Sequence, residues 1–283
     1  MRSLTTVLVL AAAARAAPPE NLPSDTCVAV HLDLAALAKT KVYEQIAEPL
    51  IAAAAGPCDY KAFCESAGFK IEDVESVTLG LCGDLDDPDV YMLARGKFDA
   101  AKVEAFLTGI GEYAVTKRDG MTVFLSKSVG SIPADPEIAI VEGGLLLGTA
   151  RGSLEKMLAA RKPDATESEV SKLLRGAGEA HLSCAVLGTA AVRKSMAEDP
   201  EMALFSGVKS IVMTANVRDK VEISYDFKAE GGVESLKGTA TLTSETIVAM
   251  VLDEMAADGG SGEAGEGCDE PCGCGEGEPF GDD

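Results

Sequence analysis

An α+β fold is predicted by two features of the chain: strands that are paired through tight turns, and helices that each follow a strand. Residues 74–110 show both features, because they read as a strand, an acidic turn, a second strand and a helix that begins after Asp99. Tight turns between strands favour antiparallel pairing, and a helix that follows a strand is placed to cover a face of the sheet. We therefore expect a mainly antiparallel sheet with its helices on one face.

The first half of the chain opens with a strand that leads directly into a long helix. Residues 28–32 alternate between large apolar side chains and small or polar ones, and apolar residues then take helical spacing as far as Leu50. Pro57 is expected to end this helix, and a short second helix over residues 59–67 is expected to end at Gly68.

Two hairpins and two helices are predicted next. The turn of the first hairpin is Arg118-Asp119-Gly120, and the turn of the second is Glu142-Gly143-Gly144. The predicted segments are strands over 112–117, 121–127, 138–141 and 145–148, and helices over 153–161 and 167–175.

The second half repeats the order of elements in the first half. HLSCAVLGTAAVRKSM is a strand and then a helix, as is VAVHLDLAALAKTKVY, and two strands flank Arg218-Asp219-Lys220. The last predicted helix is Glu245 to Met255. The chain is therefore interpreted as a duplicated strand-helix-strand-strand-helix module, with a first copy over residues 17–162 and a second over 163–256. Periodicity leaves open whether the two modules share one sheet.

Both ends of the chain differ from this body. Residues 1–16 have the features of a cleaved signal peptide: one positive charge at Arg2, an apolar run, and Ala14-Arg15-Ala16 before prolines. The alternative is a buried amphipathic helix. Export predicts a periplasmic or extracellular protein, and no later apolar run is long enough to be an integral membrane segment. Residues 257–283 are rich in Gly, Glu, Asp and Cys, which predicts a disordered tail.

Charge and composition argue against some partners. The formal net charge is −21, and after Lys237 the chain has no Lys or Arg. Nucleic-acid binding draws its affinity from basic side chains, so nucleic acid is excluded as an expected partner. Trp is absent and aromatic residues make up 5% of the chain, which disfavours binding modes that need aromatic platforms.

Four segments carry a resemblance to a group of known proteins: LDLAALAKT, VESVTLGL, LARGKFDAAKVEAFL and GGLLLGTARGSLEKML. Together with the signal peptide, they resemble uncharacterised exported proteins of the planctomycete and verrucomicrobial type that are built from duplicated α+β units. The resemblance extends from Cys27 to about Leu252. It implies the fold, and it implies no active-site residues because none of the segments is a catalytic motif.

The chain has eight cysteines, an even number that suggests disulfides in an exported protein. Spacing favours a local disulfide between Cys58 and Cys64. Cys27, Cys82 and Cys184 lie in or beside predicted strands, and we expect them to be small buried residues.

The last three cysteines, Cys268, Cys272 and Cys274, form a candidate metal site in the tail. Thiolates favour zinc or copper(I), but a tetrahedral site needs a fourth ligand and no histidine lies nearby. A disulfide within the tail, a link between molecules and a solvated tail are the alternatives.

No catalytic motif is found, so the function predicted first is an exported, non-enzymatic binding or structural protein. Its expected partner is a protein or an apolar small molecule. Metal handling by the cysteine tail is the second hypothesis, and a hydrolase with an unrecognised site is the third.

The candidates for that third function are His31, Asp33 and the acidic turn, and the paired position of His31 and His181 in the two modules also suggests an acid–base or ligand pair. A core histidine and a solvated turn are the structural alternatives. The residues of the acidic turn are Asp84, Asp86, Asp87 and Asp89.

Overall fold

The fold is described from a computed structural model of the chain. The structure describes residues 20–45, 67–83, 88–109, 113–118, 121–126, 137–149, 152–198, 200, 203–218, 220–229, 236–243 and 246.

A single antiparallel sheet of eleven strands forms the centre of the molecule, in the order β11-β10-β9-β8-β1-β2-β3-β7-β6-β5-β4. Every neighbouring pair in this order is antiparallel, as predicted. The strands are β1 (Thr26–Asp33), β2 (Val74–Cys82), β3 (Asp89–Gly96), β4 (Tyr113–Arg118), β5 (Met121–Ser126), β6 (Glu137–Val141), β7 (Gly144–Gly148), β8 (Leu182–Leu187), β9 (Val208–Val217), β10 (Lys220–Ala229) and β11 (Leu236–Thr243).

Five α-helices have both ends within the described part of the chain, and residues 41–45 form a further helical segment. Polar side chains begin several of them: Asp99 accepts hydrogen bonds from two amides of the helix that follows it, and Ser168 accepts one from Ser171. The helices are α1 (Leu34–Leu37), α2 (Ala100–Gly109), α3 (Ser153–Ala160), α4 (Glu169–Gly176) and α5 (Ala190–Glu198), and 3-10 turns lie at Ile71–Asp73 and Ala203–Phe205.

Helices cover both faces of the sheet, so the prediction of helices on one face was wrong. Two consecutive residues of β5 show this, because consecutive side chains of a strand point to opposite faces. Val123 packs in a cluster with Leu154 and Met157 of α3, whereas Phe124 packs with Val103 of α2. We call the face that packs against α3 and α4 face 1, and the face that packs against α2 and α5 face 2.

The predicted long helix after β1 is interrupted. α1 ends after a single turn at Leu37, and the Thr40 hydroxyl accepts a hydrogen bond from the Tyr43 amide, 3.2 Å away, where a new helical segment begins. The hydroxyl therefore caps the second segment. Helical spacing of apolar residues continues through this point, which is why the sequence pattern conceals the break.

The predicted hairpins are present, but β11 was not predicted. β4 and β5 flank Asp119 and Gly120, and β6 and β7 meet at Gly143, whose φ of +66° is a conformation that favours glycine. The two predicted modules contribute to one sheet through the antiparallel pairing of β1 with β8. The central strands thus come from opposite halves of the sequence.

Residues 20–25 hold the helices of face 1 against the sheet. The Asn21 side chain donates to the carbonyl groups of Ala160 and Thr166 and accepts from the Ser168 amide. Glu20 lies between Arg95 of β3 and Arg161 at the end of α3, with 3.0 Å between its carboxylate and the Arg161 Nε. The segment therefore links β3, α3 and α4.

Within the described residues, no helix combines the length and apolar composition needed to cross a membrane.

Candidate functional site

A row of apolar side chains crosses the middle of face 2. Its six residues lie directly opposite one another on six adjacent strands, β9-β8-β1-β2-β3-β7. With a strand spacing of about 4.8 Å, the row extends for about 24 Å. We call it the apolar row, and its members in spatial order are Met213, Cys184, Val30, Leu79, Met92 and Leu147.

The side chains of the apolar row are incompletely covered. Five of them are half-buried and Met213 is 38% exposed. No member belongs to the five clusters of packed hydrophobic residues in the described part of the chain. Such a row differs from an ordinary core, where large apolar side chains are almost fully buried.

Apolar residues also flank the row on both sides. Leu182, Leu32 and Val77 form a parallel line one step along the strands, and Val186, Val28 and Leu81 form another on the opposite side. All six of these side chains are half-buried. Val28 and Val186 also pack against the cluster that contains Val192 and Met196 of α5, so that helix partly covers this side of the row. The row and its flanking residues form a continuous apolar surface, of which Met213 is the most exposed member.

Face 1 behind this patch has the opposite character. Behind β8, β1 and β2 its side chains are small or polar, and α4 packs closely against them through Val170 and Leu174, both 0% exposed. Behind β3 and β7 its side chains are larger and pack against α3. A Cβ added to Gly80 would lie 3.0 Å from Thr26 and 3.3 Å from Leu22, so a larger residue there would displace these side chains. The residues of face 1 behind the row include Ala29, His31, Thr78, Gly80, Ser183 and Ala185.

The apolar row offers almost no hydrogen bonds to a ligand. Its six strands are interior strands, so their backbone groups are used in pairing on both sides. Burial raises the pKa of the Cys184 thiol, so this group remains neutral at pH 7. The thioethers of Met213 and Met92 are adaptable apolar groups. The row therefore suits an occupant that has no polar groups along its length.

The two histidines hold structural positions. His31 is 6% exposed, and its Nδ1 lies 2.8 Å from the Thr78 hydroxyl on face 1. The Nδ1 of His181 accepts a hydrogen bond from the Val217 amide at 3.0 Å. Burial lowers the pKa of both imidazoles, so both are neutral at pH 7.

The carboxylate of Asp33 is engaged at a helix start and is not paired with His31. Its Oδ1 accepts a hydrogen bond from the Ala36 amide at 2.8 Å. Asp89 begins β3, and the other three aspartates of the predicted acidic turn lie outside the described residues. A site that combines His31, Asp33 and the turn is not seen among the residues described.

A thiol and a phenol meet on face 1 beneath α3. The Tyr91 hydroxyl lies 3.3 Å from both carboxylate oxygens of Asp25, which also binds the Lys156 ammonium at 2.6 Å. The Cys82 thiol donates to the Asp89 carbonyl. Burial raises the pKa of Cys82 and that of Tyr91, so neither group is activated as a nucleophile or base. We assign this cluster to packing.

A groove of about 610 Å³ lies elsewhere on face 1, between α4 and strands β9 to β11. Its lining combines apolar residues such as Leu173 and Val212 with polar ones, and it includes the charged pair of Lys237 with Asp226 at 3.2 Å. Its hydroxyl groups come from Thr214, Ser224 and Thr239, which lie in line across the three strands. This is the solvated face expected of an antiparallel sheet.

The predicted cysteine sites fall mainly outside the described residues. This applies to Cys58 and Cys64 and to the tail cysteines Cys268, Cys272 and Cys274. Among the residues that the structure describes, Cys27, Cys82 and Cys184 are free thiols, and no three acidic, histidine or cysteine side chains gather as a metal site. Cys27 and Cys82 are buried, as predicted for small core residues.

Comparison with known proteins gives a fold but no family. No family model and no curated protein matches the chain. Crystal forms IV and III of TP0453 each superpose with a TM-score of 0.52 at 10% sequence identity, and each comparison covers 82% of this chain. They cover 97% and 96% of the respective TP0453 chains, and crystal form I gives a TM-score of 0.50 at 10% identity. The chain thus shares an α+β fold with TP0453.

Sequence reasoning missed the apolar row because it treated the strands singly. The signal was present in β1 and β2, where the alternate positions Val28, Val30 and Leu32 and Val77, Leu79 and Leu81 are all large and apolar. Only the register between strands brings Met213 and Leu147 into the same line. That register depends on pairing between distant parts of the chain, which periodicity does not contain.

Proposed function

We propose that the chain is an exported, non-enzymatic binding protein whose apolar row receives the alkyl chain of a small amphiphile. The main support for this proposal is the line of six apolar side chains, all incompletely covered, on six adjacent strands. An alkyl chain that covers this line removes apolar surface from water, at about 25 cal/mol per Å² buried. We infer binding because the described thiols, the Tyr91 phenol and the two imidazoles are neutral at pH 7 and none is activated as a nucleophile.

The chemistry of the row favours an alkyl chain over a peptide. A peptide carries an amide and a carbonyl at each residue, and these lose their water on an apolar surface. The row can replace that water only with weak groups, namely the thiol of Cys184 and the thioethers of Met92 and Met213. An alkyl chain has no such groups, so it loses no hydrogen bonds when it moves from water onto the row.

The duplicated architecture is part of this proposal. β1 and β8 are neighbours near the centre of the sheet. On one side β1 is followed by β2 and β3, and on the other side β8 is followed by β9 and β10. Each central strand leads to a helix with a polar side chain before it: Asp33 accepts from Ala36, and Thr189 accepts from Val192, each three residues on. These parallels support two modules that meet at β1 and β8. The apolar row would then cross the junction between them.

Export rests on the predicted signal peptide of residues 1–16, and N-terminal sequencing of the mature protein tests it. A mature chain that begins near Ala17 supports export, and a chain that retains Met1 contradicts it. The segment that links the helices of face 1 begins at Glu20, so cleavage after residue 16 leaves those contacts in place.

Binding of cis-parinaric acid, a fluorescent fatty acid, tests the proposed function. We expect saturable binding to the full mature chain, and we expect Met213→Gln and Met92→Gln to weaken it by about tenfold, because each places a polar amide in the row. Thr214→Gln is the matched control, since Thr214 follows Met213 in β9 and faces the other side. Circular dichroism checks that each variant is folded. Absence of saturable binding, or an equal loss in Thr214→Gln, would overturn the proposal.

A further inference from the structure

β11 forms one edge of the sheet, and in the described part of the chain no strand pairs with its outer side. All eight residues of β11 pair with β10 without a bulge. Its sequence, LKGTATLT, has no proline and a single charge at Lys237. A regular edge strand of this kind presents unpaired amides and carbonyls that favour pairing with another strand.

The edge strand at the other end of the sheet has a different character. β4 has six residues, and two of them, Lys117 and Arg118, are basic. Both are engaged in ion pairs, with Glu104 and Glu155 respectively. Charged residues on an edge strand disfavour pairing with a second sheet. The two edge strands therefore differ in the number of charged side chains that disfavour pairing with another strand.

We propose that β11 pairs with β11 of a second copy of this chain, antiparallel and about a two-fold axis at Thr239. This interaction is separate from the proposed ligand binding and does not depend on what occupies the apolar row. Placing Thr239 opposite Thr239 of the second copy sets Leu236 opposite Leu242 and Gly238 opposite Ala240. Because opposed residues in an antiparallel pair share a face, these apolar pairs lie on face 2.

This register suits the side chains of β11. Leu236 is 63% exposed in the single chain, and the pairing covers it with a second leucine. The Tyr225 ring lies over Gly238, where an added Cβ would be 2.0 Å from the Tyr225 hydroxyl, so the backbone there is already covered on face 2. The two Lys237 side chains are offset by four residues along the strands, about 14 Å, which limits their repulsion.

The acidic residues that follow β11 oppose this association. Two copies bring two such segments together, and their repulsion weakens as salt screens it. We therefore expect the dimer fraction to rise with ionic strength. The acidic residues that follow β11 in each copy are Glu245, Asp253, Glu254, Asp258, Glu263, Glu266, Asp269, Glu270, Glu276, Glu278, Asp282 and Asp283.

Sedimentation velocity over a concentration series tests the proposal on the full mature chain. A reducing buffer removes disulfide links through the tail cysteines. Thr239→Lys and Thr239→Glu each place like charges directly opposite one another at the axis, which destabilises a strand pair. Ala114→Lys adds the same charge at an exposed position of β4 and is the matched control.

The proposal predicts a dimer for the wild type and for Ala114→Lys, and monomers for Thr239→Lys and Thr239→Glu. Mixing the two Thr239 variants should restore the dimer, because lysine then lies opposite glutamate. A monomeric wild type at every concentration and salt, or Thr239 variants that dimerise like the wild type, would overturn the pairing. Failure of the mixture to dimerise would overturn the axis at Thr239.

Discussion

Val30 and His31 are consecutive residues of β1 whose side chains meet opposite surroundings. Val30 lies on face 2 between Leu79 and Cys184, half-buried in the apolar row. His31 lies on face 1, almost fully buried, with its Nδ1 bound to Thr78. The central strand therefore has one face that is fixed by packing and hydrogen bonds and another whose apolar side chains are incompletely covered.

The neutral state of His31 predicts a loss of stability in acid. Its pKa is lowered by burial in the folded chain, so below the unfolded pKa of about 6.5 the unfolded state takes up protons that the folded state does not. The contribution of His31 to stability is therefore constant above that pH and falls as the pH decreases toward the folded pKa, by at most about 1.4 kcal/mol per pH unit. His181 contributes in the same direction.

Urea unfolding of the wild type and of His31→Gln between pH 7.5 and pH 5 measures this effect. We expect a smaller decrease for His31→Gln than for the wild type, because one of the two histidines has been removed. Equal pH dependence in the two proteins would show that the pKa of His31 is the same in the folded and unfolded states.

Glu20→Gln should destabilise the chain, because Arg95 and Arg161 would then lie close together without a carboxylate between them. All three side chains are largely buried, at 19% to 26% exposure, so we expect a loss of about 1–3 kcal/mol. Urea unfolding at pH 7 provides the measurement. Glu155→Gln is the control, since its ion pair with Arg118 is exposed and its loss should leave stability unchanged within error. Equal stability of Glu20→Gln and the wild type would contradict the linking role of residue 20.

Alkylation of Cys184 should report occupancy of the apolar row. Cys184 is a half-buried member of the row, whereas Cys82 is buried on face 1. We expect parinaric acid to slow the reaction of N-ethylmaleimide with Cys184 by about tenfold and to leave Cys82 unaffected, with mass spectrometry assigning each site. A Cys184 rate that does not change at saturating fatty acid would place the ligand elsewhere.

Removal of the cysteine tail separates ligand binding from metal handling. A chain that ends at Met255 keeps the whole apolar row, so it should bind parinaric acid with wild-type affinity. The alternative hypothesis of a metal site at Cys268, Cys272 and Cys274 predicts that the full chain carries zinc or copper and that the shortened chain does not. Elemental analysis decides this, and equal metal content in the two chains would remove the tail as a metal site.

Local features of the fold were predicted from sequence because their causes are local. The turn at Gly143 and the helix start at Asp99 depend on residues that lie within a few positions of one another. The break at Thr40 is also local, but the continuing apolar spacing hid it. The threonine-rich β11 carries few large apolar residues, so its strand character lies in β-branched side chains that the apolar pattern does not count.

Other features depend on distant contacts and were not available from sequence patterns. The pairing of Val30 with Cys184 joins residues from opposite halves of the chain, and it creates both the single sheet and the apolar row. The side on which each helix packs is also a tertiary property, since α2 and α3 both follow strands and yet cover opposite faces. The helix order alone therefore led to the wrong prediction of one covered face.

Photolabelling with a fatty acid that carries a diazirine in its alkyl chain tests the central claim most directly. The reagent is bound to the full mature chain and irradiated, and the labelled residues are identified by mass spectrometry. Binding along the apolar row predicts labels on Met92, Leu147 and Met213, with competition by unlabelled parinaric acid. Labels confined to face 1, such as Thr214 or Ser224 in the groove beside α4, would contradict it.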